Sequence, residues 1–250
     1  MNAPRRRLPN PCLLVLLALS AAGGAGAGDY WVAANDAGVV TNNDCGAVSG
    51  VHGKPAIRRS FLAADAAGIP ANIADRVSSG DEILAPSGSR LEMIAGSNII
   101  LVFGSGARVR MGGLRNFAGA GGLPVARLDL EVLEGEMRLQ VRLNEQKPMA
   151  ALIRLDGSEV LVRRGDVEIA VQGGWRAAVL SGGASARLVR SGVPGAPFAV
   201  DELREVGSGG DGELGENEKL AIRARLPFSF ETRGAALPPL PHASTVLEAP

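Results

Sequence analysis

GDEILAPSGSRLEMIAGSNIILVFGSGARVRM, residues Gly80–Met111, is the stretch that decides the fold. It opens on a Gly-Asp turn, followed by Ile83 and Leu84 and a polar turn at Pro86–Ser89. Leu91–Ile94 comes next, then a turn at Ala95–Ser97 and the apolar run Ile99–Phe103. Gly104–Gly106 breaks that run, after which Val109 and Met111 alternate with Arg108 and Arg110. Short apolar or alternating runs separated by Gly, Ser and Asp predict consecutive β-strands. No nucleophile, metal cluster or phosphate loop sits among them, so the stretch speaks to architecture more than to chemistry.

The rhythm continues downstream. Gly112–Pro124 is Gly-rich with no apolar period and reads as a loop between strands. Leu128, Leu130 and Val132 then alternate with Asp129 and Glu131; after Glu134-Gly135, Met137, Leu139, Val141 and Leu143 alternate with Arg138, Gln140 and Arg142. This period of two predicts a hairpin with one buried face, Asp129 and Glu131 opposing Arg138 and Arg142 across it. Asn144–Pro148 reads as a turn, and Leu152–Leu155, Val160–Val162, Val167–Val171, Trp175–Leu180 and Ala186–Val189 read as further strands. Asp156-Gly157, Gly165-Asp166, Gly173-Gly174 and Ser181–Gly183 are the turns between them, and Gly165-Asp166 weakly echoes Gly80-Asp81. Strands spaced roughly 8–12 residues apart are the rhythm of an all-β sandwich, barrel or solenoid.

Upstream, Ala47–Val51 with His52-Gly53 reads as a strand and turn, and Ala56–Arg59 as a strand pairing back on it. Ser60–Ala67 has the one mild helical flavour of the domain, and Tyr30–Val32 reads as an edge strand or an arm. Past Gly192 the composition shifts: Val193–Pro197 is Pro-rich, Gly207–Glu218 is acidic and Gly-rich, Leu220–Phe230 offers one or two strands, and Leu237–Pro250 reads as a disordered tail.

The first residues are a targeting signal. Arg5–Arg7 form a basic region, Cys12–Ala22 a short apolar one, and Ala25–Ala27 a small-x-small cleavage site, placing the mature start at Gly28. The apolar region is short of the ~20 residues that span a bilayer. Pro9 falls where a twin-arginine signal wants an apolar residue, so export by the general route is expected. Without residues 1–27 the chain keeps 23 basic and 26 acidic side chains, a net charge of −3. That mild, scattered negative charge excludes the electrostatic footprint of nucleic-acid binding, and no basic amphipathic stretch suits lipid. Cys45 remains alone after signal removal, which gives no internal disulfide. The expected location is periplasmic or secreted, with no stable membrane insertion.

These residues together resemble a FecR domain, the extracytoplasmic part of ferric-citrate-type sigma regulators, which also occurs alone in exported proteins. Ala47–Ser191 carries the resemblance. Gly46–Val48 and Val51–Gly53 look like its opening strand, Val77–Ile83 its Gly-Asp-x-Ile turn, and Ser89–Met93 the strand that follows. Gly96–Ile99 resembles its Gly-Ser-x-Ile turn, Leu133–Met137 the start of its Leu-x-x-Gly strand, and Gly165–Gly183 its closing part. Ala95 departs from the Asp often found there, and Gly112–Pro124 is extra. Typical sigma regulators carry a cytoplasmic anti-sigma segment and a membrane helix ahead of this domain, where this chain has a cleavable signal. The resemblance therefore implies a non-catalytic exported module that does not itself reach a cytoplasmic sigma factor.

Chemistry is sparse. His52 and His242 are far apart and lack metal-ligand spacing. A Ser-His-Asp triad built on His52 lacks a Gly-x-Ser-x-Gly elbow, and Gly104–Gly106 is a turn. Asp81, Asp156 and Asp166 each adjoin a Gly, where Asx turns explain them; a glycosidase would need two facing across a cleft. Gly209–Glu213 with Glu216 and Glu218 could offer oxygens to Ca²⁺ but lacks EF-hand spacing. Trp175 reads as a core residue rather than a sugar platform, and open sheet edges could accept a partner strand.

The expected organisation is a signal peptide at 1–27, an arm at 28–45, a FecR-like β domain at 46–192, a Pro/Gly/acidic linker at 193–218, one or two strands at 219–232 and a disordered tail at 233–250. The expected fold is an all-β antiparallel sandwich or solenoid-like domain of short strands. The expected function is protein interaction or signalling in the cell envelope, with an envelope protein or receptor as partner. A cell-wall or extracellular polysaccharide-binding module is the alternative. No enzyme activity, catalytic residue, metal or cofactor is expected.

Overall fold

Strand order follows the glycine punctuation as far as Phe103 and departs from it beyond. The computed structural model describes residues 39–42, 44–96, 98–118, 124–144, 147–190 and 193–233. The first strands are β1 (Val39–Asn42), β2 (Asp44–His52), β3 (Ala56–Arg58), β4 (Ile69–Pro70), β5 (Arg76–Ser78), β6 (Glu82–Ala85), β7 (Arg90–Ala95) and β8 (Ile99–Phe103). Longer ones follow: β9 (Ala107–Ala118), β10 (Pro124–Val141), β11 (Met149–Leu155), β12 (Ser158–Val171) and β13 (Trp175–Arg190). Four short strands, β14 (Val193–Pro194), β15 (Phe198–Asp201), β16 (Arg204–Gly207) and β17 (Gly210–Glu213), precede helices α1 (Glu216–Arg225) and α2 (Ser229–Arg233).

The all-β class holds. Two ladders share the long strands. One runs β17–β16–β13–β12–β10–β8–β7–β2–β5 and is antiparallel throughout. The other runs β15–β13–β12–β11–β10–β9–β1, with β6, β3 and β4 continuing from the start of β9. Its β10–β11 pair is parallel, so the sheet is mixed rather than purely antiparallel. Inward side chains of both ladders, among them Leu128, Leu130, Met137, Leu139, Val160, Val162, Val167, Ile169 and Trp175, form one core cluster.

Several expectations are corrected. The predicted hairpin at Leu128–Leu143 is the single strand β10, 18 residues long. Its first half pairs with β9 and β11, its second with β8 and β12, so the partners of each half are non-local. Gly135 is a kink, not a turn. Its φ of +78° favours Gly, and a Cβ there would press into the backbone of Gly106 and Ala107. Gly165, at φ +148°, plays the same part in β12, where a Cβ would lie 2.5 Å from the Ser181 carbonyl oxygen. The strands are consequently not all short.

Asp129 and Glu131 do not oppose Arg138 and Arg142. Glu131 pairs with Arg110, and Asp129 with Arg127 and with Arg115 and Arg154 on the flanking strands. Ala56–Arg58 pairs with β4 and β6 instead of returning on β2. Ser60–Ala67 contains turns but no helix. The described parts of Gly112–Pro124 extend β9 and begin β10. Residues 39–42 and 44–45 of the expected arm are strand, and residues 28–38 lie outside the described residues, as does the signal peptide.

The expected linker at 193–218 carries β14–β17 and buries Leu214 against Ala178 and Leu180. The expected strands at 219–232 are helices α1 and α2. Glu216 and Glu218 in the first turn and Arg223 and Arg225 in the last suit the helix dipole, and Pro227 follows as a stop. The expected tail from 234 onward lies outside the described residues.

Candidate functional site

Alternation along the first ladder puts Ile100, Val102, Arg138, Asp166, Glu168, Ala178 and Leu180 on the face away from the core, and α1 and α2 lie over it. Ile222 and Leu214 pack with Ala178 and Leu180; Leu226 and Phe228 pack with Ile100 and Val102. Beside this cover a groove of about 740 Å³ opens. Glu136, Glu168, Ala170 and Arg176 line its floor, Gln172–Trp175 and Ser208 one wall, and Ser105 and Arg225 its remaining rim.

Register assembles that floor. Glu136 of β10 faces Ala170 of β12, which faces Arg176 of β13. One row along, Arg138 faces Glu168, which faces Ala178. Arg176 lies 3.0 Å from Glu168, 2.9 Å from Glu205 and 2.7 Å from Glu218. Arg225, arriving on α1, lies 2.9 Å from Glu168 and 2.7 Å from Glu136. Burial pushes the Glu168 carboxyl up, and the charge of Glu136 pushes the same way; Arg176 and Arg225 oppose the shift without cancelling it. For Arg176 the sign is reversed: burial lowers it, and the surrounding carboxylates outweigh burial and raise it.

The two serine hydroxyls tie separate segments together. Ser208 Oγ accepts the Trp175 N–H at 3.2 Å, and Ser105 Oγ accepts the Gly88 N–H at 3.2 Å. The groove presents alternating guanidinium and carboxylate groups, a side-chain amide and two wall glycines.

Neighbouring this groove is a second charged centre, under the helices. Arg138, fully buried, makes a bidentate pair with Asp166 at 2.8 and 2.7 Å. It also donates to both Glu231 oxygens at 2.8 Å and to the Leu226 carbonyl at 3.0 Å. Its guanidinium sits 4.2 Å over the Phe228 ring, which stacks on Phe230 at 5.3 Å. Arg223 reaches Asp166 at 3.4 Å, and the Ser229 N–H donates to Glu92 at 2.6 Å.

The residues singled out from sequence are scattered. His52 is exposed at the end of β2, and His242, Tyr30 and Trp31 lie outside the described residues. Cys45 is buried; desolvation first, then the Asp44 and Asp81 charges, push its thiol up to about 12, which leaves it unreactive. Asp81 accepts the Ser78 and Ser60 N–H groups at 3.0 and 2.9 Å and pairs with Arg59 at 2.8 Å, as a turn organiser should. Asp156 sits in the β11–β12 turn, whereas Asp166 is mid-strand, correcting the turn expected there. Trp175 is core, as expected. Gly210–Glu213 is strand β17, and no group of three or more metal-ligating side chains occurs among the described residues. No described helix is long and apolar enough to cross a membrane.

Glu136, Glu168, Arg176 and Arg225 were not singled out from sequence. Each sits at an outward position of an alternating strand or on the helix, where a charge reads as solvated. The helix charge pattern at 216–225 is the one signal that could have drawn Arg225 toward a sheet face.

No known family's sequence profile matches the chain, and no curated protein matches it. Among solved structures, it is similar to two crystal structures of a "putative anti-sigma factor" from Parabacteroides distasonis ATCC 8503. The first has a TM-score of 0.43 at 13% identity, covering 56% of this chain and 63% of that one. The second has a TM-score of 0.40 at 14% identity, covering 56% of this chain and 62% of that one. The chain thus spans less than two thirds of either.

Proposed function

We propose that this chain is an exported, non-catalytic FecR-like module that binds a protein of the cell envelope and takes part in signalling there. The observation that carries the reading is the groove beside α1. Its charged side chains are arranged as paired guanidiniums and carboxylates, and its hydroxyls are engaged by backbone N–H groups. A cleft built this way recognises a charged polypeptide surface through complementary pairing, which favours specificity over raw affinity. The Gly-Asp-x-Ile stretch folds as a turn in which Asp81 accepts the Ser78 N–H, which agrees with the resemblance.

The experiment is in-cell cross-linking of the tagged mature chain, followed by affinity recovery and mass spectrometry. Recovery of one specific envelope receptor or sensor, in a yield that drops with the groove-wall variant Gln172→Glu, is the expected result. Wall fragments alone, or nothing, would overturn the reading and return the polysaccharide alternative. Hydrolytic activity that disappears with His52→Ala would overturn the non-catalytic assignment.

A further inference from the structure

We infer that the C-terminal segment from Glu216 to Arg233 is a detachable strap, held on the sheet by charge pairs and opening as a unit while the β-ladders stay intact. Three observations carry this. First, the strap contributes no residue to any ladder, so lifting it breaks no strand pairing. Its main-chain links to the sheet run through side chains: Arg138 donates to the Leu226 carbonyl, and Glu92 accepts the Ser229 N–H.

Second, α1 is poorly anchored by apolar burial. Of its ten residues only Ile222 is buried, Leu220 is 59% exposed, and Gly215 supplies no side-chain cap. What holds it are ion pairs that are open to solvent on at least one side: Arg225 with Glu136 and Glu168, Arg223 with Asp166, Glu218 with Arg176, and Lys219 with Glu202. Third, the apolar anchor is confined to the far end, where Leu226 and Phe228 pack against Ile100 and Val102, Phe230 beside them and Phe228 under the Arg138 guanidinium.

Such a segment belongs to the low-stability end of a structure, where local opening precedes global unfolding. Opening uncovers Ile100 and Val102 and the side of Ala178 and Leu180 that Ile222 covers, Leu214 staying on their other side, flanked by Arg138, Asp166 and Glu168, and removes Arg225 from the groove rim. The strap thereby sets whether that surface and the complete groove are available. This inference goes beyond the proposed partner and stands whether or not that partner is found.

The test is hydrogen exchange with mass spectrometry on the full mature chain across a salt series. Peptides covering 220–231 are expected to exchange at least about tenfold faster than those covering 135–141 and 165–171. Raising NaCl from about 0.05 M to about 1 M should speed the strap severalfold and leave the sheet unchanged, because exposed pairs are screened. Arg225→Gln should mimic high salt. Strap peptides exchanging in step with the sheet, or indifferent to salt in the unmutated chain, would overturn the inference; the salt series needs no variant to fold.

Discussion

Gly80-Asp81 and Gly165-Asp166 are the same dipeptide ahead of an apolar run, and the fold uses them in different ways. Asp81 closes its own turn and ties that turn to a second bend: its carboxylate accepts the Ser78 N–H three residues back and the Ser60 N–H 21 residues back, and it pairs with Arg59. Asp166 is a tertiary device: it lies mid-strand beyond a kinked Gly165 and anchors Arg138, which in turn holds the strap. Both are buried. A short motif therefore specifies what the backbone can do at that point, while the neighbours decide what the side chain is for.

Substitutions at the two positions should separate these roles. Asp81→Ala removes the acceptor of two part-buried N–H bonds and the partner of a partly buried guanidinium, so it should cost about 2–3 kcal/mol of global stability in urea unfolding. Asp166→Ala leaves Arg138 with Glu231, and strap opening can hydrate what remains. Its global cost should be smaller, about 1–2 kcal/mol, with the larger change in strap exchange. Equal global losses at the two sites would erase the distinction.

Acid sharpens the contrast. Burial alone would push the Glu231 carboxyl up, but hydrogen bonds from Arg138 and the Phe228 N–H outweigh it and hold it below its ordinary value of 4.5. A depressed carboxylate contributes stability that is present above that value and is lost as pH falls through the folded pKa. Glu168, raised by burial, has the opposite sign: its contribution grows as pH falls through its folded pKa. Strap opening, read as exchange relative to the intrinsic amide rate at each pH, should therefore slow or hold above about 4.5 and then accelerate below it. Glu231→Gln should remove the acceleration. A strap indifferent to acid would mean the Arg138–Glu231 pair holds nothing.

The smallest effect is expected away from both sites. Ala74 sits at φ +73°, pinned by its N–H to the Val48 carbonyl. Ala74→Gly should raise stability by about 0.5 kcal/mol, relief of left-handed strain being partly offset by unfolded-state entropy. Its effect should be the same whether strap or sheet is followed.

Legibility from sequence followed the same division. Strands with local turn chemistry, Glu82–Ala85 through Ile99–Phe103, were readable because Gly and Asp mark each end. The alternation of Leu128–Val132 and Met137–Val141 was equally readable, but Glu134-Gly135 admits a hairpin or a kink. The choice falls to β8 and β12, distant partners that no local pattern names. Leu220–Phe230 alternates well enough to pass for a strand; its acidic start and basic end were the helix signal. The groove was illegible because Glu136, Glu168, Arg176 and Arg225 come together only through register.

The most direct measurement is a photo-cross-linker placed at Gln172, exposed on the groove wall, in the full chain inside cells. A single envelope protein joined at that position, lost when the cross-linker is placed outside the groove, is the predicted result. Adducts confined to saccharide, or none on any protein, would contradict a protein-binding groove.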